Sequence, residues 1–155
     1  MAVLVIAEHD NSNLKSSTLN TITAAKKLSD DIHLFILGSN IGELANKSKD
    51  IHSLSKVIKC DNEKLKNFLT ELSAPLISNL AENYSHILAP ASTFGKNLLP
   101  RVSALLDITQ ISDVIDIVSN DTFVRPIYAG NAISQVQTNQ KINLLTIRPT
   151  SVSYT

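Results

Sequence analysis

His86-Ile87-Leu88-Ala89-Pro90-Ala91-Ser92-Thr93-Phe94-Gly95-Lys96-Asn97-Leu98-Leu99-Pro100-Arg101 is the stretch whose reading decides the fold. An apolar run stops at a proline and passes through small hydroxyl residues, a glycine and a lysine. An apolar pattern then resumes at helical spacing through Leu98, Leu99, Val102, Leu105 and Leu106. A strand that ends in a short loop and enters a helix is half of a strand–helix–strand unit, which belongs to a parallel sheet covered by helices. The same junction is where such folds hold phosphates, because unpaired N–H groups converge at the helix start. Asn97 is a good cap residue. With Asn97 as the cap, Pro100 falls in the first turn, where its missing N–H costs nothing.

The pattern repeats upstream. Continuous apolar runs at 2–7, 32–37 and 85–89, with a shorter one at 56–60, read as strands buried on both faces. Between them, Ser16 or Ser17 starts a helix with Leu19, Ile22, Ala25 and Leu28 on one face, and a short helix covers 41–47. A longer helix is predicted over 63–83, carrying Leu65, Phe68, Leu69, Leu72, Leu76 and Leu80, with a kink or two abutting helices near Ser73 because of Pro75. Downstream of Gln110 the helices stop. Strands are predicted at 111–118, 122–128, 132–138 and 142–147. Ala129-Gly130-Asn131 signals a tight turn and an antiparallel hairpin, and Pro126 places its strand at an edge or bulge. The expected fold is a three-layer α/β/α sandwich with a mostly parallel sheet and an antiparallel C-terminal hairpin. Residues 1–149 form one domain, and 150–155 read as a linker.

The bulk numbers narrow the function classes. With 155 residues, one domain fits, and a formal net charge of +0 leaves no electrostatic footprint for nucleic acid or an anionic membrane. The single cysteine, Cys60, excludes an internal disulfide and fits a reducing compartment. Residues 1–10 lack the basic start and small-residue cleavage site of a signal peptide, and no run is long enough to span a bilayer. The expectation is bacterial cytoplasm, or an organelle matrix if a presequence has been removed.

No catalytic or metal constellation emerges. The loop from Ala91 to Lys96 has the placement of an anion site but one glycine where a dinucleotide fingerprint has three, and no Gly-Lys-Ser/Thr ending. Glu8-His9-Asp10 cannot converge on one atom from an extended strand end, and His33, His52 and His86 are isolated, so a solvated loop with a capping role for Asp10 is the reading. Cys60 reads as a small buried thiol, and Gly38-Ser39-Asn40-Ile41-Gly42 as a turn and helix cap. Asp113 and Asp116, three apart on one predicted strand, face opposite ways and cannot share an ion. Asp107 adds no third ligand.

Several segments together resemble the N-terminal domain of the electron-transfer flavoprotein alpha subunit. They are Val3-Leu4-Val5-Ile6-Ala7-Glu8-His9, Thr18-Leu19-Asn20-Thr21, Tyr84 to Pro90, Thr93-Phe94-Gly95-Lys96-Asn97 with Pro100-Arg101, Gln110 to Val114, and above all the long stretch from Thr122 to Ala132. The resemblance implies a domain like the adenine-nucleotide-hydrolase-type α/β sandwiches. It also implies a role in a heterodimer with a beta subunit, carrying FAD and passing electrons from flavin dehydrogenases, such as acyl-CoA dehydrogenases of fatty acid beta-oxidation, to a membrane-bound quinone oxidoreductase. It carries no residue of this chain over as a flavin ligand, because most FAD contacts in that family come from a second alpha domain. The chain alone is expected to hold no FAD and to be non-catalytic. Phe94 stands where a related AMP loop has small residues, so the loop is expected to keep the shape of a phosphate site without its ligand. The hairpin residues Phe123, Arg125, Ile127 and Tyr128 are expected at a partner interface. A different reading stays open: a free-standing adenine-nucleotide-binding domain using the Ala91–Lys96 loop.

Overall fold

The computed structural model describes residues 1–149; the expected linker at 150–155 lies outside the described residues. Strands β1 (Ala2–Ile6), β2 (Ile32–Gly38), β3 (Lys56–Asp61), β4 (Tyr84–Pro90), β5 (Gln110–Val114) and β9 (Asn143–Ile147) form one sheet in the order β3-β2-β1-β4-β9-β5. Every pairing in it is parallel. Strands β6 (Asp116–Ser119), β7 (Thr122–Ile127) and β8 (Ala132–Gln137) form a second, antiparallel sheet with β7 in the middle. The helices are α1 (Ser16–Ala25), α2 (Gly42–Ser48), α3 (Thr70–Leu80) and α4 (Thr93–Leu106).

The period of two along β1 builds the layers. Val3 and Val5 face one core with Ile22 and Ala25 of α1, Leu44 of α2, and Ile117 and Phe123 of the second sheet. Leu4 and Ile6 face the other, with Ala74 and Ile77 of α3 and Leu98, Leu99 and Val102 of α4. Both faces being covered is why these strands carry no polar alternation. The expected α/β sandwich is thus the observed one, a three-layer arrangement whose second sheet caps part of one face.

Four local expectations are corrected. The helix predicted over 63–83 is a single turn at Glu63–Leu65 followed by α3. The break falls at Phe68, which has a left-handed φ of 44°, rather than at Ser73. Pro75 sits inside α3 on its exposed side, so the Glu71 carbonyl it deprives of a donor is open to solvent. Helix α4 starts at Thr93 with Ser92 as cap, so Asn97 is an exposed interior residue and Pro100 lies in the second half of the helix. Pro100 is tolerated there for the same reason as Pro75.

The run 111–118 is two strands in two sheets. At Asp113 φ turns to 61°, the register with β9 shifts, and the chain crosses so that Ile115 donates to the Val124 carbonyl at 2.8 Å. The Arg148 guanidinium grips the Asp113 carboxylate at 3.1 and 2.5 Å and holds the bend. The strand read at 142–147 is β9, which lies between β4 and β5 in the parallel sheet. Pro126 is in the central strand of the second sheet, neither at an edge nor in a bulge, but β6 pairs with β7 only up to Val124, so no partner is missed on that side.

Candidate functional site

Strand β1 hands the chain to β2 on one side and neighbours β4 on the other, so the strand order reverses between β1 and β4. Ligands of open α/β sheets bind outside the carboxyl ends of the strands at such a reversal. A cleft of about 410 Å³ opens there, lined by the turn after β1, the end of β2, the segment before α3 and the start of α4. Sequence reasoning pointed to the Ala91–Lys96 side of it. It did not place Glu8 and His9 in the same cleft.

Glu8 decides the character of this site. One carboxylate oxygen accepts from the Ser17 hydroxyl at 2.7 Å and from the Ser92 hydroxyl at 3.0 Å. Ser17 belongs to the first turn of α1 and Ser92 is the cap position of α4. A single anion therefore ties the starts of two helices, where the helix dipoles and free N–H groups favour negative charge. The side chain is only 14% exposed, and the Lys15 ammonium stands 3.9 Å from its other oxygen. The backbone is fixed as well: the Thr18 hydroxyl accepts from the Glu8 N–H and donates to the Glu8 carbonyl, both at 2.8 Å. The Ser92 hydroxyl points at Glu8 and caps no backbone N–H of α4.

His9 and Asp10 are also spent on structure. The Leu37 carbonyl can only accept, so His9 Nε2 carries the proton and donates to it at 2.8 Å, leaving Nδ1 to accept from the Asn11 N–H at 3.0 Å. Both ring nitrogens are used. The Asp10 carboxylate accepts from the Asn13 and Ser12 N–H groups at 2.8 and 3.0 Å, which holds it below the ordinary carboxylate range. Asp10 is therefore a turn cap, as the sequence reading had it. Phe68 and Phe94, which both line the cleft, pack with centroids 4.7 Å apart at 54°. Lys96 and Arg101 are exposed. Asp113 and Asp116 turn to different partners, Arg148 and Lys27. Cys60 is half-buried on edge strand β3 rather than sealed in the core. Among the described residues no group of three or more His, Cys, Asp or Glu is placed to hold a metal ion.

The hairpin residues divide. Phe123 is fully buried in the core, because β7 turns that side chain towards the main sheet. It cannot be an exposed contact, which corrects the sequence expectation. Arg125 is half-buried, its guanidinium donating to the Ser112 carbonyl at 2.9 Å and to its hydroxyl at 3.3 Å. Ile127 is half-buried, and Tyr128 is 78% exposed. The tip is strained: Tyr128, Ala129 and Gly130 all have positive φ, of 51°, 53° and 88°. Ile133 and Val118, which sequence reasoning missed, are exposed on the same sheet. The signal available was the alternation in Ala132 to Gln137, which carries an apolar residue in both phases and so does not announce which side is out.

Comparison with known proteins covers the same span. Residues 3–154 match the electron transfer flavoprotein domain. The chain is 51% identical over 150 residues to the electron transfer flavoprotein subunit alpha of Pseudomonas aeruginosa, covering 97% of this chain and 48% of that protein. It is 44% identical over 156 residues to the mitochondrial subunit alpha of Dictyostelium discoideum, covering 96% and 44%. With a probable mitochondrial subunit alpha of Caenorhabditis elegans it shares 42% over 152 residues, covering 97% and 46%. The chain thus spans about half the length of the curated relatives it matches.

Proposed function

This chain belongs to the electron transfer flavoprotein family, and from that premise we propose that it is the N-terminal scaffold domain of an alpha subunit. In this reading it pairs with a beta subunit in an FAD-containing heterodimer that takes electrons from flavin dehydrogenases and delivers them to a quinone oxidoreductase. It is a non-catalytic part of an electron carrier, working in bacterial cytoplasm or a mitochondrial matrix. The observation that carries the reading is the match to named alpha subunits over 97% of this chain. No helix among the described residues is long and apolar enough to cross a membrane.

FAD, when bound, supplies the redox chemistry of such a carrier. The residues of this cleft do not fit it. A carboxylate already sits between the two helix starts where a pyrophosphate would have to lie. Phe94 and Phe68 line the cleft with a packed aromatic pair where a phosphate would need polar donors. Gly95 is pressed against the Pro90 carbonyl instead of opening a cradle. We therefore place the flavin on a part of the subunit beyond this chain. The purified chain should show no flavin absorption band after gel filtration, and a stoichiometric band would overturn the assignment. The cleft's position favours the second reading, an adenine-nucleotide domain, and the same sample tests it. A true binder at a hundredfold excess of AMP or ATP over its Kd gains about 2.7 kcal/mol. We expect no such rise in Tm.

The second sheet is the proposed surface for the beta subunit. Its outer strand β8 has no partner beyond β7 among the described residues, and from Ala132 to Gln137 it carries neither charge nor proline. Open edges are ordinarily blunted by such residues or covered. Exposed Tyr128 and Ile133 flank that edge, and a tyrosine held on a fixed turn is the kind of anchor on which interfaces depend. Tyr128→Asp should weaken association with the beta subunit by at least about tenfold, on the order of 1.4 kcal/mol, while leaving Tm within a few degrees. An unchanged affinity in a titration would remove the hairpin from the interface.

A further inference from the structure

His86 is a titratable group that the cleft does not use. It lies on β4, in register with Val3 of β1 and Asn143 of β9, and is only 4% exposed. Its ring leaves the main sheet and meets the second one. Nε2 lies 2.7 Å from the Asn120 carbonyl in the β6–β7 turn, and the ring stands edge-on to Phe123 of β7, centroids 6.1 Å apart. A carbonyl only accepts, so Nε2 carries the proton and Nδ1 accepts from the Ser85 hydroxyl at 2.8 Å. Both nitrogens are satisfied by a neutral imidazole.

We propose that His86 is a pH-sensitive latch between the two sheets, holding the antiparallel sheet to the main one when neutral and loosening it when protonated. A proton added at Nδ1 makes that nitrogen a donor. Ser85 must then turn its own proton away, and its other neighbour, the Ala2 carbonyl, stands at 3.5 Å, the limit of a hydrogen bond. No carboxylate balances the new charge. Phe123, edge-on to the ring from β7, and Asn143, the register neighbour of His86 on β9, are uncharged, and α1 (Ser16–Ala25), which covers the same face, carries no charged residue. The carboxylate of the β6–β7 turn, Asp121, is engaged by Ser119, Thr122 and Gln137. From the start of β1 the Met1 amino group adds repulsion.

Burial is the largest effect and pushes the His86 pKa below its ordinary value; the Asn120 carbonyl pulls the other way, and the Met1 amino group adds a further lowering. A histidine depressed in the docked state and ordinary in the undocked state leaves docking unaffected above about pH 6.5. As the pH falls below that value the undocked state takes up the proton first, and docking weakens by up to about tenfold per pH unit until the docked pKa is reached.

Native-state amide exchange on the whole chain, corrected for intrinsic rates, reads this directly. Between about pH 7 and about pH 5, the opening constant at Phe123 and Val124 should rise, while that at Leu4 and Val5 of β1 stays level. His86→Gln keeps a donor for the Asn120 carbonyl and cannot titrate, so its profile should be flat. Equal changes in both sheets, no change at β7, or a slope that survives in His86→Gln would each overturn the latch. NMR titration of the ring in the unsubstituted chain gives a reading that does not depend on the variant folding: a pKa at or above about 6.5 refutes the proposal.

Discussion

Gly95→Ala should cost this domain several kcal/mol, although it replaces a poor helix former with the best one. Gly95 is the third residue of α4 and has an ordinary helical φ, so propensity alone favours alanine by about 1 kcal/mol. The surroundings decide otherwise. A Cβ at this position would lie 1.8 Å from the Pro90 carbonyl oxygen and 3.0 Å from its carbon. Those are backbone atoms at the buried end of β4, so no side chain can swing aside. Either α4 lifts from the end of β4 or the strand distorts, and both open the core built on Leu98, Leu99 and Val102. Overpacking of this kind costs about 1–3 kcal/mol and occasionally more. Because the obstruction is rigid backbone, the net loss should be at the upper end, about 3 kcal/mol, or roughly 6–12 °C in Tm for a domain of this size. Gly42→Ala is the internal control. Its Cβ would meet nothing nearer than the Lys59 ammonium at 3.9 Å, so the same exchange at the start of α2 should be neutral or stabilising by up to about 1 kcal/mol. Thermal melts of the two variants with opposite signs would establish that close approach, rather than helix chemistry, fixes the glycine. A neutral Gly95→Ala would show that the helix can shift freely.

What was legible in the chain follows from what is locally determined. Strands buried on both faces must be apolar throughout, so Val3 to Ala7 and Ile87 to Ala89 announced a parallel sheet without further help. The start of α4 was misplaced because its stabilisation is not local. By residue type Asn97 and Ser92 cap equally well. The hydroxyl of Ser92 is held by Glu8, 84 residues away, a contact that the local sequence does not show. The bend at Asp113 is held by Arg148 from 35 residues further on. The run's own sign of it is a change of apolar phase, from Ile111 to Val114 across Asp113, which a single-strand reading passes over. The insertion of β9 between β4 and β5 is a matter of sheet order, on which a strand's own sequence is silent. At the cleft the loop's placement was readable, and so was its shortage of glycine. Its occupation by an internal carboxylate was not, since a glutamate beside a histidine and an aspartate reads equally well as solvated loop.

Phe123→Ala should be the most destabilising substitution in the second sheet, and its contrast with Tyr128→Asp separates packing from recognition on one hairpin. The two residues are five apart, so a period of two puts them on opposite faces of the strand predicted over 122–128, but it does not say which face is buried. In the fold Phe123 is fully buried among Ile117, Val136 and the ring of His86, and it is the largest of the fully buried side chains. It is the main apolar bond between β7 and the face of the main sheet that α1 also covers. Truncating a buried phenylalanine costs about 3–5 kcal/mol, the transfer of the ring plus the cavity it leaves. That is a large share of the roughly 5–15 kcal/mol that holds an ordinary domain together. Urea titration should show the midpoint fall accordingly, with Tm lower by about 6–20 °C. On the proposed pairing, association with a beta subunit would then be lost only as far as the fold is lost, so stability and association should fall together. For Tyr128→Asp they should come apart, with association falling and stability holding. A Phe123→Ala loss below about 1 kcal/mol would mean that the site collapses without a cavity, and that the second sheet is docked by its hydrogen bonds and by Ile117 instead of by this ring.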